Sequence, residues 1–133
     1  MAIVDGRSLP LAVHVACASP NEVRLVDETL ADRFLEAYPP RLIGDRAYDS
    51  DPLDTQLRTD WGIELIAPHR DGRVRPATQD GRPLRRAKRR WVVERFFAWL
   101  HNSRRLVSRW ERYVENFFGM LQLACMRMLL KRL

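Results

Sequence analysis

Cysteine is scarce in this chain. Cys17 and Cys125 are the two cysteines in 133 residues, far apart and each in apolar sequence. That spacing excludes a disulfide framework and predicts buried free thiols in a reducing cytoplasm. Histidine is equally sparse, and His14, His69 and His101 share no zinc-ligand spacing with the cysteines. Long apolar runs are missing too. The most apolar stretch, residues 117–130, is short and broken by Gln122 and Arg127, which excludes a membrane-spanning segment. No leader-like segment opens the sequence, since residues 1–6 run straight into a turn. No internal repeat or low-complexity tract is present.

Acidic residues are the other shortage, but only in one part of the chain. They dominate residues 22–36 and 45–60, whereas residues 70–112 hold most of the arginines. The formal net charge is +6 and the pI is near 10.1, so the partner is expected to be a polyanion. Block asymmetry of this kind predicts one basic face, with nucleic acid as its commonest target; a merely solvated helix surface is the alternative. With 46% hydrophobic and 30% charged residues, the composition is that of a globular protein. The length suits one domain or a piece of a larger one.

Read in order, residues 2–4 form a short strand, Asp5-Gly6 a turn and residues 9–16 the return strand. Ser19-Pro20-Asn21-Glu22 supplies helix-start chemistry, and the spacing predicts a helix over residues 23–37, ended by Pro39-Pro40. A strand over residues 41–43 delivers Gly44-Asp45. A helix starts at Asp51-Pro52 and is closed by Gly62, and a strand follows over residues 63–67. This alternation predicts an α/β sheet with crossover helices. Residues 68–82 read as a mobile basic loop. One helix is expected over residues 85–106, and a last amphipathic helix over residues 113–131.

The chemistry centres on residues 89–106, RRWVVERFFAWLHNSRRL, where apolar residues recur at three- and four-residue steps. Glu94 is a single carboxylate amid arginine and aromatic side chains. Such a helix is mostly packed into a core, so Glu94 is expected in a buried or half-buried ion pair with Arg90, one turn earlier, or on a metal. Asp45 follows a short strand, where open α/β sheets place their active sites, although Gly-Asp there also serves as an ordinary turn or cap. Asp49 and Asp51 read as first-turn and capping carboxylates of the next helix. Asp45 and Glu94 together could share divalent metal beside a basic surface, which describes a nuclease-like or strand-transfer site.

GDRAYDSD over residues 44–51, followed by PLRRAKRRWVVERFFAWLHNSRRL over residues 83–106, resembles the DDE transposases of bacterial insertion sequences. More narrowly, it resembles the group whose last carboxylate lies in a Tyr-x2-Arg-x3-Glu-x6-Lys signature. LPLAVHVACASPNEV and ERYVENFFGMLQLACMRMLL are similar to that group as well, so the resemblance covers essentially the whole chain. It implies a ribonuclease-H-like sheet, incomplete here, flanked by helices and followed by a C-terminal helical pair. It also implies DNA binding and metal-dependent strand cleavage and transfer in the bacterial cytoplasm, at the nucleoid.

Carried over by position, Asp45 matches the second catalytic aspartate and Glu94 the catalytic glutamate. Both would be ligands of Mg2+ (or Mn2+) once the site is complete. Arg90 matches the signature arginine, and Arg85, Arg86, Lys88, Arg89, Arg90, His101, Arg104 and Arg105 would contact DNA. Ala87 stands where the tyrosine would be, and His101 where the lysine would be; a histidine carries that charge only when protonated. The family's first aspartate falls upstream of the segment matching Met1, and Asp5, in a hairpin turn, is no substitute.

Residues 1–133 are therefore expected to be the C-terminal part of a DDE catalytic domain, inactive alone: a decayed or truncated copy, a mis-called start or the second half of a frame-shifted gene. Loss of a central strand would leave unpaired buried backbone groups at roughly 1–3 kcal/mol each. That predicts poor solubility or dependence on a second transposase chain or the N-terminal part. A non-catalytic DNA-binding remnant is the alternative. A generic basic module in which Glu94 serves only as an ion-pair partner is a further one.

Overall fold

Short β-branched runs punctuated by turn residues set the first strands. β1 (Ala2–Val4) pairs antiparallel with β2 (Pro10–Val13), Ala2 opposite Val13 and Ile3 opposite Ala12. The connecting turn is held by Asp5, whose Oδ1 accepts the backbone N–H groups of Arg7 and Leu9 at 2.8 Å each. Ser8 completes it with a left-handed φ of 69°. The computed structural model describes residues 1–17, 19, 21–79, 81, 84–85 and 91–132, which divide into two compact units. Residues 1–20, 24–35 and 91–133 belong to the first unit, and residues 21–23 and 36–90 to the second.

In the first unit, α1 (Leu25–Ala31) is shorter than the helix expected over residues 23–37 and is preceded by a 3-10 turn, Glu22–Arg24. The chain leaves the helix at Asp32 because a sheet-like alternative is available. Arg33 bridges Ala12, and the Phe34 N–H donates to the Leu11 carbonyl at 2.8 Å. Those bonds replace the helical ones the next turn would have made.

α3 (Trp91–Leu100) buries Val92, Phe96 and Leu100, one residue per turn along a single stripe. α5 (Val114–Leu130) buries Leu121, Ala124 and Cys125. These side chains close with Val13 around Phe96, which has no exposed surface, and Val4, Phe34, Leu106 and Phe118 pack at the margin. Burial pushes the Cys125 thiol up to about 12, as suits an inert core cysteine. Cys17 departs from expectation: it is exposed.

The helix expected to run unbroken to residue 106 stops at Leu100. The Asn102 and Ser103 N–H groups bond back three residues, to Trp99 and Leu100 at 3.1 and 2.9 Å, tightening the last turn. A separate short helix, α4 (Arg104–Val107), follows. Asn and Ser compete with the helical backbone, so His101-Asn102-Ser103 is where the periodic pattern breaks.

The second unit is a β-α-β crossover. β3 (Arg41–Ile43) and β4 (Glu64–Ile66) pair in parallel, joined by α2 (Asp51–Trp61). Ser50 caps α2, Pro52 sits in its first turn, and Gly62 ends it in the left-handed region at φ 65°. Leu53 and Leu57 of α2 are buried, as are Ile63, Leu65, Ile66 and Ala67. The protein is thus mixed helix and strand, compatible with α/β. The described strands pair two by two, as one antiparallel and one parallel sheet. The tight turn lets β1 and β2 satisfy each other locally, whereas a parallel pair needs its crossover helix. Among the described residues, no helix is long and apolar enough to cross a membrane.

Phe96 is the largest side chain with no exposed surface. Phe96→Ala is expected to cost about 3–5 kcal/mol of stability, read as a lowered urea midpoint. An unchanged midpoint would mean that Phe96 does not hold this core together.

Candidate functional site

Asp45 stands at the carboxyl end of β3. The Gly44 N–H extends the parallel ladder by donating to the Ile66 carbonyl at 2.9 Å, and the chain then turns into a 3-10 turn, Arg46–Tyr48. Asp45 caps that turn, its Oδ1 accepting the Ala47 N–H at 2.8 Å. Capping was one of the two roles the sequence left open for it. Gly44 has to be glycine: a Cβ there would lie 2.8 Å from the Tyr48 ring. Burial pushes the Tyr48 hydroxyl up to about 12, with the charges of Glu22 and Asp45 adding to the effect.

Asp49 and Asp51 do more than start the next helix. Asp49 takes the His69 ring at 2.9 Å, the Arg70 N–H at 2.8 Å and the Arg73 guanidinium at 2.8 Å. Asp51 takes Arg73 at 2.6 Å and Arg75 at 2.8 Å. Arg70 donates to the carbonyls of Arg46 and Ala47, Arg46 pairs with Asp71, and Gln79 reaches the Leu65 carbonyl. The stretch expected to be a mobile basic loop is therefore tied down over residues 69–79 by acids the sequence reading had assigned to a helix start. The clue was present as two acids, Asp49 and Asp51, shortly before a run containing Arg70, Arg73 and Arg75. Their pairing needed the β3-α2-β4 crossover to be seen.

Glu94 departs from expectation in a different way. On α3 it is exposed, so its charge keeps its hydration and burial does not demand a counter-ion. Arg90, the expected partner, lies outside the described residues, as do Arg86, Ala87, Lys88 and Arg89. Further along the chain, His101, Arg104 and Arg105 are exposed, with Arg105 3.8 Å from Glu111. Arg85, in the second unit, is also exposed. Asp45 belongs to the second unit and Glu94 to the first.

Both carboxylates are hard oxygen donors of the kind Mg2+ takes. Among the described residues, however, no group of three His, Cys, Asp or Glu side chains could hold a metal ion. The described residues do not by themselves make a metal centre.

The Transposase DDE domain family matches this chain over residues 1–129. The putative transposase for insertion sequence element IS402 of Burkholderia cepacia is 37% identical over 131 residues, covering 92% of this chain and 58% of that protein. The chain spans less than two thirds of that relative's length. No solved structure matches it.

The ion-pair cluster under residues 69–79 carries a pH signature. Burial opposes the Asp49 charge, but the Arg70 N–H, the His69 ring and the Arg73 guanidinium outweigh it and hold the carboxyl below its ordinary 3.8. Arg75 and Arg73 hold Asp51 below the same value. A carboxylate with a depressed folded pKa stabilises the docked state fully above its unfolded pKa, and that contribution fades as pH falls through the lowered folded value. Hydrogen exchange over residues 69–79, corrected for its intrinsic pH dependence, is expected to stay flat near neutrality and quicken below about pH 4. Asp49→Asn should quicken it at neutral pH as well. Equal protection in parent and variant would rule out this anchor.

Proposed function

Because the chain belongs to the DDE-domain transposase family, we propose that it acts on DNA, contributing Asp45 and Glu94 to the catalytic carboxylates of an insertion-sequence transposase. The observation that carries this reading is the place of Asp45, half-buried directly after a parallel strand. Open α/β sheets gather their chemistry at such strand ends. Glu94 lies exposed on α3. In this reading β3 and β4 are part of a ribonuclease-H-like sheet, and residues 1–133 are the C-terminal part of the catalytic domain.

A third carboxylate has to join these two for strand cleavage and transfer. The divalent ion, Mg2+ or Mn2+, belongs to that completed assembly, where it would polarise the DNA phosphate. The partner supplying the third acid would be the N-terminal part of the transposase or a second transposase chain. His101, Arg104, Arg105 and Arg85, exposed, together with Arg86, Lys88, Arg89 and Arg90, would neutralise phosphates. A second reading, DNA binding without catalysis, is favoured by the lack of a three-ligand group among the described residues.

The chain should bind duplex DNA with log affinity falling steeply against log salt, and Arg104→Ala should reduce that slope by about one. Mg2+-dependent nicking by the completed assembly should vanish in Asp45→Ala and in Glu94→Ala, while DNA binding persists. Nicking that survives both substitutions would end the enzyme reading. Binding with no nicking, in the parent and both variants alike, would leave the non-catalytic one.

A further inference from the structure

The acid–arginine pairs that tie down residues 69–79 are of two kinds. The inner kind is an anchor: the Asp49 carboxylate, 8% exposed, takes the His69 ring, the Arg70 N–H and the Arg73 guanidinium. The outer kind stands in water. Arg46 pairs with Asp71, their side chains 59% and 88% exposed. Arg75 pairs with Asp51 at 2.8 Å, its own side chain 72% exposed. Ion pairs this open to solvent add little to stability, so the outer two are weak fasteners that another anion can exchange.

Their place in the fold is also particular. β3 and β4 run parallel, so the segments that follow them, residues 44–51 and 67–79, leave the same edge of the sheet. Open α/β sheets receive their ligands at that edge. Arg46 directly follows Asp45, and Arg70 binds the two segments together by donating to the Arg46 and Ala47 carbonyls at 3.0 and 2.6 Å. Both outer pairs therefore border the strand end that presents Asp45.

We infer that Arg46 and Arg75 are contacts for the phosphates of duplex DNA, and that Asp71 and Asp51 mask them until a phosphate takes the acid's place. The inference rests on the transposase reading above and deepens it, adding a strip of DNA contact and a built-in restraint on it. Carboxylate and phosphate both accept the paired N–H groups of a guanidinium, so either can hold the same arginine. The exchange leaves no buried charge unpaired. Asp71 is left in water, and Asp51 keeps Arg73 on its other oxygen at 2.6 Å. The Asp49 anchor is untouched, so residues 69–79 hold their path while the outer arginines change partners.

The test measures binding of a short mixed-sequence duplex to the whole chain by fluorescence anisotropy over a range of salt. Asp71→Asn is expected to tighten binding about fivefold at low salt and to steepen the log–log salt dependence by about 0.9, the worth of one phosphate. Asp51→Asn should do the same through Arg75. Asp60→Asn removes an equal charge from an exposed site at the opposite end of α2, and should shift affinity less than about twofold with the slope unchanged. Arg46→Ala added to Asp71→Asn, or Arg75→Ala added to Asp51→Asn, should erase the gain. No gain, a gain matched by Asp60→Asn, or one that survives loss of the arginine would show the pairs to be surface fasteners only and overturn the inference alone. Failure of the parent and every variant to bind the duplex would overturn the transposase reading with it.

Discussion

Burial of Phe96 is the constraint on which the first unit depends. It brings together Val13 from β2, Leu100 from α3, and Leu121, Ala124 and Cys125 from α5, residues separated by most of the chain's length. No local propensity could hold these segments together, since a helix of this size is marginal alone and gains its stability from a packed face. Once Val92, Phe96 and Leu100 point inward, the rotation of α3 about its axis is decided. Glu94 and Trp91 then face water, and Arg95 reaches Ser8. The outward chemistry of α3 follows from which of its residues the core takes.

The second unit is organised by charge as much as by burial. Leu53 and Leu57 seat α2, and Gly62 and Ser50 set its ends. Residues 69–79 hold their path mainly through Asp49 and Asp51. Exposed ion pairs contribute little individually, but here Arg73 is shared between two acids, and Asp49 also takes a backbone N–H. Arg70, Arg73 and Arg75 are each bonded to Asp49, Asp51 or nearby carbonyls, Arg75 from an exposed position, so the basic charge of this stretch is partly neutralised where it stands.

Several elements were legible before any coordinates. The strands over residues 2–4 and 41–43, the helix opened by Asp51-Pro52 and closed by Gly62, and the last helix all carry punctuation that acts locally. The strand-end position of Asp45 was legible for the same reason. What failed were inferences from composition carried across distance. Glu94 was expected in a buried or half-buried ion pair because its helix is rich in apolar residues, yet Trp91 and Phe97 are about half exposed and the buried stripe is narrower than the apolar one. The helices expected over residues 23–37 and 85–106 both end early, at Ala31 and Leu100, the first because β2 offered Phe34 another hydrogen bond.

The sequence by itself determined the local elements, the basic balance and the family, because caps, turns, periodicity and motif order are written in neighbouring residues. The tertiary structure alone decided which acids meet which arginines, which cysteine is buried and which side of α3 faces water. Those depend on contacts between segments far apart in the chain, and a one-dimensional pattern does not encode which of its many possible partners a side chain will find.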